Sequence, residues 1–75
     1  MYQIPQAILD EFQIDPDIPV VLPDYVLSDM EIFEGSDASM LDVYASELES
    51  SLHLAWQEGF ISEDQMMWLR EYYGI

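Results

Sequence analysis

Six carboxylates fall within nineteen residues of this sequence: Asp24, Asp29, Glu31, Glu34, Asp37 and Asp42. Side chains of this kind can ligate a cation, trade protons with a substrate, or stand as fixed negative charge. Calcium is the obvious first test. An EF-hand loop needs oxygen ligands at its first, third and fifth positions and glycine at the sixth. Reading from Asp29, the third ligand position holds Phe33 and Gly35 comes one place late, so the match fails and no metal is expected. His53 is the sole histidine and no H-E-x-x-H pattern surrounds it; there is no cysteine to act as nucleophile or thiolate ligand. No glycine-rich phosphate loop is present. Carboxylates are so frequent that any acid–base pair drawn from sequence would be arbitrary. The chain does not read as an enzyme, and it calls for no cofactor.

Fixed negative charge remains. Sixteen Asp and Glu face one Arg and no Lys, a formal charge of −15 on 75 residues. Nine acids lie in residues 1–37 and seven in 38–75, so the charge belongs to the body of the chain and not to an acidic tail. An ordinary solvated surface mixes both signs, because opposite pairs stabilise helices and like pairs oppose them. Here the counter-charge must come from salt, metal or a basic partner. A compact chain of this length spans about 30 Å, over which duplex DNA carries roughly 18 charges. Direct binding to nucleic acid, or to an anionic membrane, is disfavoured by repulsion.

The elements that must position these acids are helical. Ser62 with Gln65 forms a capping box, Ile61 and Met66 stand as a hydrophobic staple, Arg70 suits the last turn and Gly74 the stop, predicting a helix over 62–73. Leu41, Tyr44, Ala45, Leu48, Leu52, Ala55 and Trp56 recur at helical spacing and predict a longer helix over 38–58, capped by Ser36 or Asp37 and ended by Gly59. These two helices should form an antiparallel hairpin. Asp42 and Glu49 fall on one edge of the long helix's apolar face, Glu47 and Glu58 on the other, with His53 on its polar side. Pro5, then Ile8, Leu9 and Phe12, predict a short helix to about Gln13. Residues 22–33 read as helix, with Val26, Met30 and Phe33 aligned, although short strands within 18–33 are the alternative. The fold class is therefore all-α: one small domain over 1–75, a bundle of three to four helices. Val43, Leu54, Met67 and Trp68 lie off the apolar faces and are expected to pack under the N-terminal half, the alternative being an exposed apolar patch for a partner or a second copy.

At 51% apolar residues with capped helices, the chain is not a simple disordered acidic segment. Adaptation to high salt is a rival source of the charge, although the large apolar residues are retained. The N-terminus lacks the basic start and long apolar run of a signal peptide, and a cytoplasmic setting is expected. A small, very acidic, lysine-free chain resembles the DNA-mimic inhibitors of phages and mobile elements. That class includes antirestriction proteins, anti-CRISPR proteins and inhibitors of uracil-DNA glycosylase. The resemblance covers the whole chain and is carried by composition. It implies a monomer or homodimer that occupies the basic nucleic-acid groove of a host nuclease, CRISPR effector or other DNA-binding protein. The candidate contact residues are Asp24, Asp29, Glu31, Glu34, Asp37, Asp42 and Glu49, with Trp68 as an aromatic anchor beside Tyr25 and Phe33. The alternative is an acidic interaction module or assembly subunit that mimics nothing, in which apolar side chains carry the binding.

Overall fold

The computed structural model describes residues 2–75, and within them every regular element is a helix: α1 Gln6–Phe12, α2 Asp24–Gly35, α3 Leu41–Gln57 and α4 Glu63–Tyr73. The strand alternative for 18–33 is not realised; Pro19 and Pro23 cannot donate to a ladder, and the periodicity of Val26, Met30 and Phe33 is helical.

Two of the four helices start directly behind a proline. The Pro5 carbonyl accepts from Ile8 and Leu9, and that of Pro23 from Val26 and Leu27, at 3.0–3.2 Å. Both prolines are N-caps in extended conformation, one position outside the helix, so Pro5 does not occupy the first helical position. The long helix departs further from expectation. Residues 38–40 form a turn, Met40 is the N-cap of α3, and neither Ser36 nor Asp37 caps it. Ser36 instead closes α2, its hydroxyl and N–H both donating to the Phe33 carbonyl. Asp37 accepts from the N–H and hydroxyl of Ser39, the local bonding that makes aspartate a turn former.

The helix ends that sequence marks clearly are realised. Ser62 Oγ accepts from the Gln65 N–H while the Gln65 side chain accepts from the Ser62 N–H, completing the capping box. Ile61 and Met66 are both buried, as a staple requires. After α3, Gly59 takes φ +86°, Phe60 N–H donates to the Ala55 carbonyl and Gly59 N–H to that of Trp56. That pair of bonds is a Schellman motif, which a left-handed glycine makes cheap. Gly74 repeats the device at φ +72°, with Ile75 N–H reaching Arg70 and Gly74 N–H reaching Glu71.

The core joins all four helices: Ile8 and Phe12 from α1, Val26 and Met30 from α2, Leu48, Leu52 and Ala55 from α3, Met66 and Leu69 from α4, with Leu22 and Ile61 from the connections. At about 25 cal/mol per Å² of apolar surface removed from water, such side chains supply the main force that holds a body this small. The most extensive helix pair is α2 on α3. They run antiparallel, since Tyr25 near the start of α2 bonds Glu58 beyond the end of α3, while Asp29 further along α2 bonds Ser51 further back. The α3–α4 pair is the predicted hairpin, with Arg70 of α4 meeting Glu49 in the middle of α3.

Trp68 packs against the core as expected, but Val43, Leu54 and Met67 do not. They stay 44–54% exposed, because α2 covers one side of α3 and the chain before it supplies only the short α1 and an irregular connection, too little to cover every face. Leu41 and Trp56, at the two ends of the predicted apolar stripe of α3, are also exposed. The body measures 39 × 25 × 20 Å, longer than the sphere assumed from chain length. No helix among the described residues is long and apolar enough to cross a membrane.

Candidate acidic surface

Intramolecular hydrogen bonds divide the carboxylates into two groups. The first is engaged within the fold. Asp29 accepts from the Ser51 hydroxyl across the α2–α3 seam. Glu34 Oε2 accepts from both Tyr2 and Tyr73, each at 2.6 Å, so one carboxylate oxygen ties the N-terminal strap and α4 to the end of α2. Burial first, and then the bond to Glu34, pushes both phenols above their ordinary range. Asp37 holds its turn, and the Ser39 hydroxyl lowers its carboxyl below the usual value. Glu49 pairs with Arg70 at 3.1 Å. Glu58 accepts from Tyr25 at 3.0 Å; burial foremost and the adjacent carboxylate next raise that phenol.

Asp10 accepts from the Gln6 amide and Asp15 from the Asp17 N–H. The second group faces water with no such partner among the described residues: Asp24, Glu31 and Asp42 of the predicted set, and with them Glu11, Asp17, Glu47, Glu63, Asp64 and Glu71. Asp24 and Glu31 stand seven residues apart on the outer stripe of α2, two turns or about 10.5 Å along the axis. Asp42 and Glu49 repeat that spacing on α3. Of the predicted acids, Asp24 and Glu31 on α2 and Asp42 on α3 thus remain outward and unpaired, while Asp29, Glu34 and Glu49 are held by distant residues and Asp37 by its own turn.

Trp68 lies elsewhere. It meets Phe12 of α1 edge-on, with centroids 5.8 Å apart, and Tyr72 stacks on it at 5.3 Å and 10°. Tyr72 meets Tyr73 at 4.9 Å, and Tyr73 meets Phe33 at 5.5 Å. The result is a continuous aromatic strip running from α1 across α4 to α2. The i, i+4 spacing of Trp68 and Tyr72 is visible in the sequence, whereas the partners Phe12 and Phe33 are remote in it. Of the other two aromatic candidates, Phe33 is drawn into this strip and Tyr25 into its bond with Glu58.

Arg70 is the one strong cation of the chain, and its bond to Glu49 removes it from any net positive patch. His53 rests edge-on to Trp56 on the polar side of α3. Among the described residues no three His, Asp or Glu side chains converge as metal ligands. What the arrangement can do chemically is present many exposed carboxylates, with the single arginine already paired, on a body braced by hydrogen bonds. Comparison with protein families, curated proteins and solved structures finds no match for this chain.

Proposed function

We propose that this protein is a DNA-mimic inhibitor, which places a carboxylate-rich helical surface in the basic nucleic-acid groove of another protein and so blocks the natural ligand. One observation carries the reading. A net charge of −15 is spread along a 39 Å body, about one charge per 2.6 Å, and its single arginine is already paired. That density lies between one strand of DNA, at about one phosphate per 3.4 Å, and the duplex, at about one per 1.7 Å. The outward sides of α2 and α3 offer Asp24, Glu31 and Asp42 to lysine and arginine of the target. Charge-assisted hydrogen bonds would then replace phosphate contacts, and long-range attraction would speed encounter at low salt.

The test is competition for a fluorescein-labelled DNA duplex bound to a panel of basic nucleases and other DNA-binding proteins. Displacement should occur at low salt and weaken steeply as salt rises, and the triple variant Asp24→Asn/Glu31→Gln/Asp42→Asn should lose it. Failure to displace DNA from any of the panel would argue against mimicry.

A second reading draws on a separate observation. Ile14, Ile18 and Val21 are 97%, 63% and 67% exposed, which favours an interaction module whose apolar side chains contribute to binding.

A further inference from the structure

We infer that the surface built by the α1–α2 connection and the outer side of α4 is a second docking face of this protein, and that its occupant is a protein segment presenting an apolar side chain between arginines or lysines. The inference goes beyond the mimicry reading and concerns a second face, separate from the acids of α2 and α3.

Two adjoining clefts define the face. A groove of about 250 Å³ lies between Phe12, Ile14, Ile18 and Val20. A cleft of about 240 Å³ lies between Glu11, Phe12, Asp64 and Trp68. Phe12 lines both, and the Trp68–Tyr72 stack continues the apolar floor beyond them. A third and larger hollow of about 480 Å³ extends it past Asp64 and Glu71 to Ile75. The floor is thus aliphatic and aromatic, and the rim carries Glu11, Asp15, Asp64 and Glu71. Arg70 also lines the largest hollow, but its guanidinium is paired with Glu49. An apolar centre inside a polar rim is the anatomy in which a few anchors carry most of the binding energy.

The connection that supplies the groove is braced. Asp15 Oδ1 accepts from the Asp17 N–H at 2.9 Å, the Ile18 N–H closes the turn on the Asp15 carbonyl at 3.0 Å, and the Gln13 amide donates to the Ile18 carbonyl at 3.3 Å. Pro16 and Pro19 fix two further backbone angles. Ile14 and Ile18 are held outward on this frame and bury little within the chain, in a domain too small to spare core residues. Ordering an exposed aliphatic pair in advance of contact lowers the entropic cost of docking.

Charge selects the occupant. A second copy meeting this face symmetrically would set acid against acid. Nucleic acid and anionic lipid are repelled. A neutral apolar partner would strip water from the rim carboxylates without pairing them. A segment with cationic side chains beside its apolar anchor satisfies both the floor and the rim, and a guanidinium can also lie on the exposed indole and phenol faces.

The probe is a synthetic twelve-residue peptide alternating Arg and Leu, titrated into the ¹⁵N-labelled full chain and followed by chemical-shift mapping. Two control peptides carry citrulline for Arg or Ser for Leu. Shifts should cluster in residues 11–21 and 64–75, and each control peptide should bind about tenfold more weakly or worse. Ile14→Ser/Ile18→Ser should lose a similar factor with an unchanged melting curve, because neither side chain is buried. Glu71→Gln, which breaks no internal bond, should weaken the Arg peptide and leave the citrulline peptide unaffected. Absence of binding, shifts confined to α2 and α3, or equal affinity for the Ser-containing control would each overturn the inference. If DNA displacement depends on Asp24, Glu31 and Asp42 while the Arg–Leu peptide fails to dock on residues 11–21 and 64–75, mimicry stands and this face does not. If the peptide docks here and no DNA is displaced, the face stands and mimicry falls.

Discussion

Removing the Tyr73 hydroxyl tests the fold at the point where the N-terminal strap, α2 and α4 meet. Tyr73→Phe deletes one of the two phenol bonds to Glu34 Oε2 and keeps the ring, which packs edge-on against Phe33 and Tyr72. A hydrogen bond to a charged group contributes about 1.5–3 kcal/mol when well buried. Glu34 is exposed and Tyr73 only half-buried, so screening brings the expected loss to about 1 kcal/mol. For 75 residues that is a fall of about 6 °C in melting temperature at pH 7.

The same clasp predicts a response to alkali. The Tyr2 and Tyr73 phenols are raised above their ordinary value of 10.0, so the folded state holds these protons more tightly than the unfolded chain does. Their contribution is complete below pH 10 and is lost progressively as pH rises beyond it. Tyr73→Phe removes one of these two contributions, and the alkaline fall in stability should be correspondingly shallower. Thermal melts by far-ultraviolet circular dichroism from pH 7 to 11 measure both effects. A variant that melts within about 1 °C of the parent at pH 7 and loses stability along the same alkaline slope would refute the reasoning.

Unpaired charge predicts that the melting temperature climbs with ionic strength, most steeply below about 0.1 M salt where the Debye length exceeds about 10 Å; a flat salt series would show that self-repulsion is negligible. Gly59→Ala places its Cβ in open space but forces an L-residue to φ +86°, so a loss of about 1–2 kcal/mol by urea denaturation is expected from the backbone alone. Leu52→Ala empties a fully buried position on α3 and should cost about 2–5 kcal/mol, a large part of the total for a domain of this size. Urea titration of Leu52→Ala showing less than about 1 kcal/mol would mean that the core around α3 is looser than its burial implies.

Local chemistry made much of the helical framework legible. Ser62, Gln65, Gly59 and Gly74 act within four residues of themselves, through bonds to neighbouring backbone groups, so their roles are readable without a partner. Pro5 and Pro23 likewise announce the starts of α1 and α2, one position off, because a fixed φ suits the cap as well as the first turn. The start of α3 is ambiguous in sequence for a related reason: Ser36 and Asp37 can close a helix, brace a turn or open a helix, and all three are local options. Composition alone set the charge and the absence of compensating lysine.

Tertiary structure decided which carboxylates remain available. Asp29, Glu34 and Glu49 look in sequence like Asp24, Glu31 and Asp42, yet their partners Ser51, Tyr2, Tyr73 and Arg70 lie 21 to 39 residues away. Only the antiparallel packing of α2 on α3, and of α3 on α4, brings those groups within bonding distance. The aromatic strip and the exposed isoleucines of the α1–α2 connection have the same origin. Periodicity states which side of a helix is apolar, but whether another element arrives to cover it depends on how much chain there is to spend, and the short α1 and its strap cover Trp68 while leaving Val43, Leu54, Met67 and Ile14 in water.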